Sequence, residues 1–158
     1  MNGNLYAPPQ SDVSVVDRRP GSIVRAVVVG TLIEIVGTFV AGLLIGLVYG
    51  VVMATRGVSP DAMQAMLEHL DPRSGFVWIS SFVGALVSVL AGYVCARIAN
   101  TLSYKPAFIL AGVSCVLGTL TGIGSYAWWF LALLAALTAG AVLLGAWLRI
   151  KRLKASRA

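Results

Sequence analysis

The sequence predicts an all-α fold: a four-span transmembrane helix bundle with both termini cytoplasmic. Composition is the first reason. Of 158 residues, 58% are hydrophobic, and 12 Lys+Arg with 6 Asp+Glu make only 11% charged, where a soluble domain carries about 25%; mean hydropathy is +0.87. The second is where the charges fall. None occurs from Ser74 to Ala96, none in the 43 residues from Pro106 to Leu148, and Glu34 is the only one between Arg25 and Arg56. A water-soluble fold needs charges on the surface of stretches this long. These facts exclude a soluble globular enzyme, a disordered chain and a disulfide-stapled secreted domain. The third reason, the side on which the basic residues gather, follows once the spans are placed.

The chain opens with a polar cytoplasmic tail, residues 1–21, expected to be disordered and uncleaved. Its positive charges come late, no compact apolar region follows, and Pro20-Gly21 succeed the Arg18-Arg19 pair, unlike a secretory signal. About 20 apolar residues cross a hydrocarbon core, so the first span reads as about 26–54. In the outer loop, 55–75, Ser59-Pro60-Asp61 reads as a helix start. Met63, Met66, Leu67 and Leu70 then fall on one face, and Asp71-Pro72 ends the helix. A short amphipathic helix is expected there, on the membrane surface or over the outer mouth of the bundle. The second span, about 76–96, lies between Arg73 and Arg97. The uncharged 43-residue stretch is too long for one span, and Thr121-Gly122-Ile123-Gly124-Ser125 supplies a turn that divides it into spans of about 106–122 and 126–148. Pro106 suits the first turn of the third, where its missing N–H costs nothing. Residues 149–158 form a basic cytoplasmic tail. Attraction to anionic headgroups, about 1 kcal/mol per basic residue, accounts for it without nucleic acid.

With four spans, one side holds Arg18, Arg19, Arg25, Arg97, Lys105 and the five basic residues from Arg149 to Arg157, ten of the twelve. The other side holds Arg56 and Arg73 beside Asp61, Glu68 and Asp71. The positive-inside rule puts both termini in the cytoplasm, and an odd number of spans would separate the terminal arginines. Tyr49, Trp78, Tyr126, Trp128 and Trp129 at outer ends, and Tyr93, Tyr104 and Trp147 at inner ends, suit interfacial anchors.

Asn4-Leu5-Tyr6-Ala7-Pro8-Pro9 resembles the Asn-Pro-Tyr-Ala-Pro-Pro tail that begins many small uncharacterised bacterial inner-membrane proteins, with Leu5 in place of the usual proline. The stretch Ala91 to Ala99 is similar to a span end found in small bacterial multi-span proteins. The resemblance implies a bacterial inner membrane and carries no activity with it.

Helices in lipid associate through close approach at small residues. The first span has a glycine zipper, Gly42, Gly46 and Gly50; the second has Ser80, Gly84, Ser88 and Gly92; the third has Ser114, Gly118 and Gly122. They are expected to pack helices, either within this bundle or against a second copy or partner protein. Glu34 is the one ionisable residue inside a span, and such residues are functional candidates. Counting inward from Met53 puts it near the cytoplasmic boundary, where Arg97 or Arg149 would pair with it; the competing reading is a proton- or cation-linked carboxylate in a vestibule.

Met63, Met66 and His69 stand three apart, and thioether and imidazole ligands suit Cu(I). Steps of three rotate around a helix, however, so packing methionines with a solvent-facing histidine is the expectation, with no metal and no cofactor. Cys95 and Cys115 differ in depth by roughly 10 Å, too far for a disulfide. No catalytic triad, metal cluster or phosphate loop stands out.

The sequence therefore favours a non-enzymatic scaffold, accessory or assembly protein acting through helix–helix association, its partners being the lipid bilayer and a homo-oligomer or larger membrane complex. The alternative is an oligomeric small transporter or channel using Glu34.

Overall fold

The structure, a computed structural model, describes residues 21–68, 74–124 and 126–155, without the side chains of 66–68. The expected disorder of residues 1–20, the end of the loop helix at Asp71-Pro72 and the orientation of Met66 and His69 lie outside what is described. Five helices follow in order: α1 (Ile23–Thr55), α2 (Pro60–Glu68), α3 (Gly75–Ala99), α4 (Lys105–Gly122) and α5 (Trp128–Ala155). All but α2 are long and apolar enough to cross a membrane. The chain is a four-span, multi-pass bundle.

Local chemistry fixes the helix ends. Ser22, Ser59 and Ser74 each accept, on their side-chain oxygen, the N–H three residues ahead, at 3.3 Å; this satisfies a donor that the first turn otherwise leaves orphaned. Gly21 donates its N–H to the Ala99 carbonyl at 2.9 Å, tying the entry of α1 to the end of α3. At that end Asn100 adopts the left-handed conformation (φ 47°) and donates back to Ala96, as asparagine tolerates after a helix. The expected break after α4 is present, with Gly124 at φ 90°, a region that disfavours side chains.

Several boundaries differ from expectation, among them the end of α3, at Ala99 rather than 96. α1 starts at Ile23 rather than 26, because its cap is Ser22. α5 does not stop at 148 but continues to Ala155, so most of the expected basic tail is helix. Hydropathy marks where hydrocarbon ends, not where a helix must. Ile150 and Leu153 are buried, Lys151 lies 5.0 Å from the Trp147 ring, and Arg152 lies 5.9 Å from that of Tyr93. Lysine and arginine are good helix formers and favourable in a last turn.

α3 touches α1, α4 and α5; α4 touches α1 and α5; no Cα of α1 comes within 8 Å of one in α5. The tightest packing lies at the end where α1 begins and α5 finishes, here the terminal end. Its core contains Ala26, Ala91, Cys95, Ala107, Leu110 and Val142. A methyl built on Gly92 would strike the Val142 carbonyl, and one on Gly145 the Val89 carbonyl, so α3 and α5 meet backbone to backbone. On Gly30 a methyl would stand 2.8 Å from Leu110. α2 contacts α1 and, among the described residues, no other helix. Met63 approaches Gly50 to 3.9 Å of where a methyl would be, so α2 leans on α1 and does not roof the bundle.

The small-residue positions divide accordingly. Gly92 makes the close approach expected of it. Gly42, Gly46, Gly84 and Gly118 do not: a methyl on any of them would meet nothing within 4 Å, so among the described residues they pack against no other helix. A fourfold series fixes which face a residue shares, not whether another helix reaches that face.

Candidate functional site

The bundle does not stay closed along its length. Beyond the packed terminal end its four helices line a half-open cavity of about 590 Å³. Gly84 of α3 and Gly118 of α4 line it, which is why they meet no neighbour. Ser80 and Ser88 line it too. One small-residue face of α3 thus serves two purposes, wall at Ser80, Gly84 and Ser88, and helix contact at Gly92. Absent side-chain volume on α3 and α4 becomes space where no helix fills it.

Glu34 stands where packed bundle gives way to cavity. The Ser88 hydroxyl donates to its Oε1 at 2.7 Å, and the Ser114 hydroxyl donates to its Oε2. Both serines are buried, at 4% and 8% exposure. They sit near the middle of α3 and α4, so Glu34 lies at mid-depth in the bundle and not near the boundary. The inward count from Met53 fails because α1, at 33 residues, is about 50 Å long and overshoots a hydrocarbon core of about 30 Å. Its far end is the wrong origin.

Neither expected arginine pairs with Glu34. Among the described residues its hydrogen-bond partners are the two serines. Arg97 is exposed, the Arg149 Nε is buried without a hydrogen-bond partner, and no described Lys, Arg or His lines the cavity. Both arginines lie toward the terminal ends of their helices, too far along the axis to reach mid-depth.

The remaining wall is a mixture of hydroxyls and apolar side chains. Thr31 and Thr38 come from α1, Ser81 from α3, Thr119 and Thr121 from α4, Tyr126 from the turn before α5, and Thr138 from α5. Several of these hydroxyls have already placed their hydrogens. Ser81 donates to the Val77 carbonyl at 2.7 Å, Thr119 to Cys115 at 2.7 Å, and Thr121 to Leu117 at 3.0 Å. What such an oxygen still offers is an acceptor lone pair. Ile35, Phe39, Leu117, Leu131, Leu134 and Leu137 complete the surface.

The two cysteines are free. Cys95 is fully buried in the core, its thiol 3.8 Å from the Pro106 carbonyl. Cys115 lines the cavity, its thiol 3.4 Å from the Ala135 carbonyl. Among the described residues no three His, Cys, Asp or Glu side chains gather as a metal site.

Of the positions singled out in the sequence, the fold brings Glu34, Ser80, Gly84, Ser88 and Gly118 to one cavity, and leaves Gly42, Gly46 and Gly50 away from it. It adds Ser114, which sequence reasoning saw only as a small residue for packing. The signal was available: Ser88 and Ser114 are hydroxyls at mid-span on the small faces of their helices. Comparison with protein-family models, curated proteins and solved structures finds no match.

Proposed function

We propose that this chain is a non-enzymatic, multi-pass protein of a bacterial inner membrane, its termini cytoplasmic, that binds a small solute within the bilayer as a carrier or channel component. One observation carries the reading: a carboxylate at mid-depth, held by two buried serines, faces a cavity of about 590 Å³. A half-buried acid inside a span, with no cation among the described residues lining its cavity, is costly in a membrane and marks solute or ion pathways. The volume falls within the range of about 300–1,000 Å³ usual for small-molecule pockets.

The test compares the wild type with Gly118→Leu, which fills the cavity from a position where added atoms meet no neighbour. Thermal stability of both proteins is measured in lipid nanodiscs against a panel of small cationic, neutral and anionic solutes. Solutes that stabilise the wild type and not the filled variant support the proposal. A panel that treats the two proteins alike refutes it.

A second reading, a scaffold or accessory subunit, has its own support. Gly42 and Gly46 lie on α1 with nothing against them, and large apolar neighbours Leu43, Leu44, Leu47 and Val48 are exposed. Cross-linking in native membranes separates the two: a defined hetero-complex lost in Gly46→Leu favours the accessory role.

A further inference from the structure

We infer that the solute is an organic monocation: a protonated primary amine carrying an apolar body. The inference rests on the solute-binding reading above and names its ligand class.

Of the hydroxyls that line the cavity, Ser81, Ser88, Ser114, Thr119 and Thr121 have placed their hydrogens, while Thr31, Thr38, Ser80, Tyr126 and Thr138 keep theirs, and the one acid among them is Glu34. Glu34 spends two of a carboxylate's roughly four lone-pair sites on Ser88 and Ser114, and both serines spend their hydrogens in doing so. Ser81, Thr119 and Thr121 have donated theirs to main-chain carbonyls. An ammonium group is the complement of such a wall, with three donors, no acceptor and a positive charge. Among the described residues no basic side chain lines the cavity to neutralise Glu34 in its place. An anion would meet an acid and lone pairs; a neutral alcohol would bring no positive charge to Glu34.

An inorganic cation fits less well. Such ions gather six or more oxygens at about 2.0–2.6 Å, whereas here Ser114 and Thr121 lie about two turns, or ~10 Å, apart along α4. The space between is walled by Ile35, Phe39, Leu117, Leu131 and Leu134, surfaces for a hydrocarbon body and not for a hydrated ion.

The experiment is calorimetric titration of the full chain in nanodiscs with three isosteric probes: phenethylammonium, phenethyl alcohol and phenylacetate. The ammonium is expected to bind the wild type at least about tenfold more tightly than either other probe, as a charge-assisted hydrogen bond implies. Glu34→Gln is expected to erase that preference, and Gly118→Leu to abolish binding. If Glu34→Gln does not fold, the ranking of the three probes on the wild type, with Gly118→Leu as the cavity control, decides alone. Phenethyl alcohol binding as tightly as the ammonium, with Gly118→Leu blocking both, overturns the cation and leaves the solute-binding reading standing. Sodium displacing the ammonium overturns the organic ligand in favour of an inorganic ion. No probe binding, or all binding Gly118→Leu equally, overturns both readings.

Discussion

The seam between α3 and α5 gives the sharpest test of the packing. A methyl on Gly92 would lie 2.8 Å from the carbonyl carbon of Val142, and closer to its oxygen; one on Gly145 would lie 2.8 Å from the Tyr93 nitrogen and strike the Val89 carbonyl. Ordinary carbon contacts are about 3.5–4.0 Å, and main chain cannot swing aside as a side chain can. Gly92→Ala or Gly145→Ala therefore forces the helices apart by roughly 1 Å, a gap that forfeits about a quarter to a half of the dispersion energy of each affected contact. Overpacking of this kind costs about 1–3 kcal/mol. Against the rigid backbone the upper part of that range applies, and the helix propensity of alanine returns close to 1 kcal/mol. The net loss expected is about 1–2 kcal/mol at each site. The double variant should lose less than the sum, since one separation accommodates both methyls. Gly112→Ala and Gly140→Ala, where a methyl meets nothing within 4 Å, should be as stable as the wild type or more so. Equilibrium unfolding in mixed micelles, followed by fluorescence of the four tryptophans, measures all five. Gly92→Ala proving as stable as Gly112→Ala would refute the close approach.

Three further expectations concern the cavity and the membrane. Ser88→Ala and Ser114→Ala each remove one donor to Glu34 and should cost about 1.5–3 kcal/mol of stability, the value of a hydrogen bond to a charged group; in a Glu34→Gln background the cost should shrink, and equal costs in both would deny the coupling. A membrane-impermeant cationic thiosulfonate should modify Cys115 in a Cys95→Ala protein and spare Cys95 in a Cys115→Ala protein, by mass spectrometry, because only Cys115 lines the cavity; equal labelling would contradict its placement. Alkaline phosphatase inserted after Gly57 should be active and at the C-terminus inactive, the reverse outcome overturning the proposed sidedness.

How far the fold can be read in advance depends on how local its cause is. Ser59 and Ser74 cap helices, and the turn with Gly124 divides a long apolar run, because the backbone groups concerned lie within a few residues. The end of α5 was less legible: it depends on Ile150 and Leu153 being buried in the folded chain. Gly84 and Gly92 are equivalent in a fourfold series, yet one lines a cavity and the other touches a carbonyl. Nothing in α3 itself distinguishes them; what differs is whether α5 comes close.

Glu34 shows the same division. Charge distribution and apolar length by themselves determined four spans and marked Glu34 as the one acid inside them, because transfer from water to hydrocarbon depends on composition alone. Its depth, its serine partners in place of arginines, and the cavity it faces were decided by tertiary structure. They depend on the relative heights of α1, α3 and α4, and on α1 and α5 staying more than 8 Å apart, Cα to Cα. Those are properties of helices arranged in space, and no single helix carries them.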